Sequence, residues 1–127
     1  MKLYYFHVQE IEHLELIFLS FPLNDDIIEN IIDSENLVVE NIKNILRENN
    51  DDIAALIIEP IQGEGGDNHF RNEFMIQLKE LCDSNNMLLI FDEVQTGIGI
   101  TGKMWAHEHF TVNPDIISFG KKTQVCG

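Results

Sequence analysis

The sequence predicts an α/β fold built on a parallel sheet, and three observations carry that reading. The apolar runs in IAALIIEP (53–60), MLLIF (87–91) and PDIISF (114–119) are continuous rather than alternating, as expected of strands in a covered parallel sheet. Stretches of helical periodicity precede the first run and separate it from the second. Glycine clusters at 63–66 and 97–102 punctuate the segments in between. Strand, helix, strand, helix, strand in that order reads as consecutive crossover units.

Each element has its own local justification. SENLVVENIKNILRENN (34–50) sets Val38, Ile42, Ile45 and Leu46 on one helical face, with Ser34 as candidate N-cap. Pro60 stops the first strand because it cannot donate to a ladder. RNEFMIQLKELCDSNN (71–86) carries Phe74, Leu78, Leu81 and Cys82 at i, i+4, i+7 and i+8, the spacing of an amphipathic helix. KMWAHEHF (103–110) reads as a short helix leading into the third strand. Upstream, LELIFL (14–19) reads as a candidate strand and FPLNDD (21–26) as a turn. The expected organisation is therefore a less regular segment over 1–33 and an α/β unit over 34–127.

Composition narrows the possible partners. With 127 residues, 44% hydrophobic content and 9% aromatics, the chain suffices for one modest core. Eight basic residues against 22 acidic ones give a net charge of −14, which disfavours nucleic acid and anionic lipid alike. No run approaches the roughly 18 apolar residues of a membrane span. Cys82 and Cys126 lie far apart and form no CxxC, so a reducing, cytoplasmic setting is expected. His107 and His109 form an HxH pair without a third ligand at a recognisable spacing, so no metal is expected.

The chemistry concentrates where strands end. Ligands of parallel α/β sheets gather outside the carboxyl ends of the strands. Glu59, Asp92 and Lys121 lie at or just beyond those ends. Singly, each has an ordinary reading: a turn-capping aspartate, a solvated lysine, a structural glutamate before a proline. Together, a carboxylate and an amine facing one crevice match what pyridoxal 5'-phosphate requires, a lysine that carries it and an acid beside its pyridinium nitrogen. GIGITG (97–102) also spells the dinucleotide fingerprint GxGxxG. However, EVQT separates it from the strand and no acidic ribose partner closes a later strand, so its glycines read as a tight turn.

EPIQGEGGD, DEVQTG and FGKK, in this order and spacing, resemble the large domain of the class III, fold type I aminotransferases. The resemblance runs from about residue 34 to the end, and the first 22 residues match poorly. It implies a large domain truncated at both ends, with the small domain and further cofactor and substrate contacts elsewhere in a full-length homodimer. Residue by residue, it implies that Asp92 pairs with the pyridinium nitrogen, Val94 packs on the ring, and Gln95 bonds toward its phenolic oxygen. It further implies that Lys121, rather than Lys122, carries the cofactor as a Schiff base, and that Glu64 gates the substrate pocket. Within the class, EPIQGEGGDNHFR, GKMWAHEHF and FGKKTQVCG most resemble the L-lysine 6-aminotransferase branch. The 4-aminobutyrate and ornithine branches are next. The implied reaction moves the terminal amino group of L-lysine to 2-oxoglutarate. The alternative from another class is a truncated, non-catalytic α/β remnant.

Overall fold

The computed structural model describes residues 2–5, 25–49, 53–63 and 66–124. Four strands, β1 (Lys2–Tyr5), β2 (Ile53–Ile58), β5 (Leu88–Asp92) and β6 (Ile116–Ser118), form one sheet in the order β1-β2-β5-β6, every pair parallel. Helix α1 (Asp25–Asn49) precedes β2, and α2 (Asn72–Ser84) links β2 to β5. A small antiparallel pair, β3 (Ile61–Gln62) and β4 (Asn68–His69), sits between β2 and α2. The connection from β5 to β6 contains a 3-10 turn at Ala106–His109. The α/β architecture expected from the apolar runs is the one observed.

One face of the sheet makes the core. Leu56 and Ile58 of β2 lie beside Leu89 and Phe91 of β5, their cross-strand partners. Val38, Val39 and Ile42 from α1 and Phe74, Met75, Leu78 and Cys82 from α2 close over them in a single cluster. The two helices cover this face because their apolar stripes repeat at three- and four-residue intervals. Desolvation in this cluster pushes the Cys82 thiol up to about 12, so it packs as an inert apolar group. Among the described residues, the other face is barer. Leu88 is 44% exposed and Ile116 45% exposed, so β5 and β6 alternate in burial instead of being buried throughout.

Several expectations need correction. Helix α1 starts at Asp25, and Ser34 lies within it, with its hydroxyl donating to the Ile31 carbonyl at 2.9 Å. The acidic pair Asp25–Asp26 occupies the first turn, where negative charge complements the helix dipole. The helix expected over 103–110 shrinks to the four-residue 3-10 turn. Lys2–Tyr5 is an edge strand that no periodicity signalled. The strand and turn expected at 14–19 and 21–26 fall mainly outside the described residues, apart from Asp25 and Asp26, which are helical.

Two charged ties hold the helices, one between α1 and the start of α2 and one between α2 and the sheet. Glu35 of α1 is 3% exposed, and its Oε2 accepts from Arg71 Nε at 2.8 Å and from Arg71 Nη2 at 2.6 Å. Burial raises the Glu35 pKa despite the opposing pull of Arg71. Asp115, just before β6, accepts from the Leu89 N–H at 2.8 Å and from Lys79 Nζ of α2 at 3.0 Å. These bonds to Leu89 and Lys79 hold its pKa below the usual carboxylate range.

Two outcomes are expected from these ties. Arg71→Met leaves a buried carboxylate unpaired and should lower unfolding free energy by about 3 kcal/mol at pH 7. Because the Glu35 pKa is raised on folding, its charged form opposes folding at neutral pH. The deficit should therefore shrink on acidification toward pH 5, as denaturant titrations at the two pH values would show. Asp115→Ala removes a depressed carboxylate, whose stabilisation is present above its unfolded pKa and lost as pH falls through the folded one. That variant should lose about 1 kcal/mol at pH 7. Its deficit should fade below about pH 4.

Candidate functional site

The carboxyl end of the sheet is organised by Glu93. The residue directly follows β5, and its side chain is 0% exposed. No lysine or arginine pairs with it among the described residues. Its charge is met by N–H donors instead: Ala106 N at 2.5 Å on Oε2, with His107 N at 2.9 Å and His107 Nδ1 at 2.8 Å on Oε1. A buried carboxylate is tolerated when several such donors converge on it. The chain from 97 to 105 therefore has to fold back so that the 3-10 turn presents its amides to β5.

The same residue fixes both neighbouring walls. Its N–H donates to the Ser118 carbonyl at 2.8 Å, continuing the β5–β6 ladder, and its carbonyl accepts from the Gly97 N–H at 2.9 Å. A Cβ on Gly97 would stand 2.9 Å from that carbonyl oxygen and 3.0 Å from the Trp105 ring, so only glycine fits. Gly99 and Gly102 adopt φ of 83° and 88°, the tight-turn role expected for GIGITG. Trp105 in turn meets Phe119 edge-on at 5.0 Å between centroids. Phe119 stands two residues before Lys121, so this chain of contacts reaches from Glu93 to the lysine turn.

A cavity of about 900 Å³ opens at this end of the molecule. Gln95, Thr96, Lys121, Lys122, His69 and His109 are among its lining residues. Gln95 packs its side chain against Gly63, 3.3 Å from where a Cβ would stand, and its carbonyl accepts from Lys122 Nζ at 3.2 Å. Thr123 bonds back to the Gly120 carbonyl through its N–H at 3.0 Å and its Oγ1 at 2.7 Å, closing the turn that carries both lysines. Glu59 accepts from the Gly63 N–H at 3.2 Å and so braces the loop opposite, the structural alternative noted for it.

The site residues expected from the sequence are thus only partly brought together. Gln95 and Lys121 share the cavity. Asp92 pairs in register with Ser118, three residues before Lys121, so the acid and the amine leave adjacent strands at the same end. Asp92 is half-buried, and its Oδ1 accepts from the Val94 N–H at 3.0 Å, the turn-capping duty weighed for it. Asp92 and Val94 do not themselves line the cavity. Glu64 falls outside the described residues. Missed altogether were Glu93, Thr96 and His69. The signal for Glu93 was a second acid directly after a buried strand with no basic residue near it in sequence. His107 and His109 have other partners than a metal: Glu93 for the first, the Thr101 carbonyl and hydroxyl for the second.

Glu93→Gln replaces one carboxylate oxygen by an amide NH₂ that must face a donor in either orientation. Denaturant unfolding should show a loss of about 2 kcal/mol. Gly97→Ala is expected to cost a similar amount through its clash with backbone. Glu93→Gln at parental stability would show that the three donors do not depend on the charge.

Comparison with known proteins supports one family. Residues 7–126 match the family described as aminotransferase class-III. An L-lysine-epsilon aminotransferase of Mycobacterium tuberculosis is 64% identical over 76 residues, covering 60% of this chain and 17% of that protein. A solved lysine aminotransferase from the same species superposes with a TM-score of 0.79 at 46% identity, covering 87% of this chain and 25% of that one. A 4-aminobutyrate aminotransferase of Emericella nidulans is 43% identical over 111 residues, 86% of this chain and 22% of that protein. A solved ornithine aminotransferase from Toxoplasma gondii, described with partial occupancy of PLP at its active site, gives a TM-score of 0.58 at 43% identity, covering 65% of this chain and 19% of that one. The chain spans at most a quarter of the length of these relatives. By its sheet, its motifs and the match along nearly its whole length, the chain belongs to the class III aminotransferases.

Proposed function

We propose that the complete protein is a PLP-dependent transaminase that moves the terminal amino group of L-lysine to 2-oxoglutarate. The observation that carries this is the exit of Asp92 and of the Lys121 turn from the same end of adjacent parallel strands, where Asp92 pairs in register with Ser118, with Gln95 and Lys121 on one cavity. The residues suit pyridoxal phosphate chemically. An amine that can carry it, a carboxylate able to pair with a cationic ring nitrogen, and an amide for a ring oxygen all come from this end of the sheet. The cavity volume of about 900 Å³ leaves room for a substrate beside it.

Bound there, the cofactor supplies an electron sink for the substrate carbon that loses its proton. Lys121 would hold the cofactor through its amine and would serve as the general base that carries the substrate proton. Asp92, oriented by the bond its Oδ1 accepts from the Val94 N–H, would pair with the ring nitrogen and favour its protonated form. By the resemblance to the family, Val94 would supply an apolar contact to the ring and Gln95 a hydrogen bond to its oxygen. Lys122 donates to the Gln95 carbonyl, which supports Lys121 as the amine for the chemistry.

The choice of amino donor rests on degree of likeness. The L-lysine-epsilon aminotransferase shares 64% identity over its matched segment. The 4-aminobutyrate relative shares 43% over a longer one and supports the second reading, a terminal amine on a shorter acid.

Addition of pyridoxal phosphate followed by borohydride reduction and peptide mapping tests the site. The label should fall on Lys121 and disappear in Lys121→Ala. Labels scattered over several lysines would mean that this chain alone is a non-catalytic piece. In the complete protein, Asp92→Asn should retain cofactor but lower the rate about a hundred-fold or more. Turnover surviving Lys121→Ala would overturn the assignment. Comparing L-lysine with 4-aminobutyrate as donor decides between the two readings.

A further inference from the structure

Two large aromatic rings stand near the cavity yet outside the core. Trp105, the chain's one tryptophan, is half-buried, and Phe119 is 48% exposed. Neither belongs to the hydrophobic cluster under the helices, and neither lines the cavity. Rings left half in water forgo much of the burial that large aromatics usually gain, so their placement calls for another reason.

Their contacts supply one. The Trp105 indole lies against the backbone of Gly97, where a Cβ would stand 3.0 Å from Cζ3 and 3.1 Å from Cε3. The same side chain meets the Phe119 ring edge-on at 5.0 Å between centroids. Gly97 stands two residues after Gln95, and Phe119 two before Lys121. One ring therefore touches the supports of both the Gln95 wall and the lysine turn without entering the cavity. Lys122 Nζ crosses the same gap to the Gln95 carbonyl at 3.2 Å. That exposed bond alone holds little, because water competes for both partners, whereas an edge-on aromatic pair adds a geometry of its own.

Trp105 is itself anchored. Its N–H donates to Glu108 Oε1 at 3.2 Å, and its carbonyl accepts from the Glu108 N–H at 3.2 Å. The next N–H, that of Ala106, is held by the buried Glu93 carboxylate. A ring on so fixed a backbone can serve as a stop for whatever leans on it.

We propose that Trp105 is a positioning residue: through Phe119 it props the turn that carries Lys121 and sets the width of the gap between that turn and Gln95. With the cavity read as the reaction site, on which this part rests, the prop keeps Lys122 at the Gln95 carbonyl and presents Lys121, rather than its neighbour, to the cofactor.

The test has one readout without cofactor and one with it, both on the full chain. Amide exchange followed by NMR reports the lysine turn through the Thr123 N–H, which bonds to the Gly120 carbonyl, and reports the sheet through the Leu89 N–H, which bonds to Asp115. Trp105→Leu and Phe119→Leu should each speed exchange at Thr123 by about five-fold or more and leave Leu89 within about two-fold of the parent. Borohydride reduction with pyridoxal phosphate and peptide mapping should show the ratio of label on Lys121 to label on Lys122 falling by about five-fold or more in the same variants. Trp105→Phe keeps an aromatic ring against Phe119 and should restore both readouts to within about two-fold. If Trp105→Leu does not fold, the half-exposed position of Phe119 lets Phe119→Leu decide alone. Parental exchange at Thr123, equal acceleration at Thr123 and Leu89, a parental label ratio in a chain whose parent labels Lys121, or no rescue by Trp105→Phe would each overturn the proposal. Label scattered over several lysines in the parent, while Thr123 exchange still depends on Trp105, would instead sink the cofactor reading and leave the prop standing.

Discussion

A carboxylate sealed from water directly after a core strand constrains everything around it. Glu93 cannot reach solvent and pairs with no lysine or arginine among the described residues, so its stabilisation falls to the Ala106 and His107 amides and the His107 ring that must be carried to it. The peptide between Gly97 and Trp105 turns back and so delivers the N–H groups of Ala106 and His107 to Glu93. Having turned, it sets Trp105 against Phe119 and closes Gly97 onto the Glu93 carbonyl. The lysine turn thus inherits its position from an acid that does not touch the cavity.

The sheet supplies the other half of the placement. In a parallel ladder all carboxyl ends point the same way, so residues far apart in sequence emerge side by side. Asp92 and Ser118 are partners in register, and the continuation of their strands carries the acid, the amide of Gln95 and both lysines to one rim. The two helices are not part of that rim. They fill the core on one face, while the Glu35–Arg71 and Lys79–Asp115 ties hold them in place.

Much of this was legible because apolar runs and helical spacing report burial directly. IAALII and LLIF announced β2 and β5, and Phe74, Leu78 and Cys82 announced α2. The start of α1 was not legible, since Ser34 resembles an N-cap and its hydroxyl satisfies the Ile31 carbonyl inside the helix instead. Lys2–Tyr5 joins the sheet through backbone hydrogen bonds, for which side-chain pattern is a weak guide. Asp92 and Lys121 could be singled out because strand ends are visible in sequence, whereas Gln95 came only from the resemblance to the family. Trp105 could not be singled out, because its contact with Phe119 is a property of the folded loop and leaves no pattern in the chain.

The fold-back loop also has a bearing on how this scaffold can diversify. Residues 98–104 are tethered at both ends to one residue, through the Gly97 and Ala106 amides on Glu93. Between those anchors Ile100 and Met104 point outward, 57% and 52% exposed, and Ile100 and Thr101 border the cavity. Doubling the length of a closed loop costs only about 0.6 kcal/mol in chain entropy. Insertions there would reshape the rim without disturbing the register of β5 and β6 or the placement of Lys121. The segment is the natural place for descendants of one framework to part ways in what they accept.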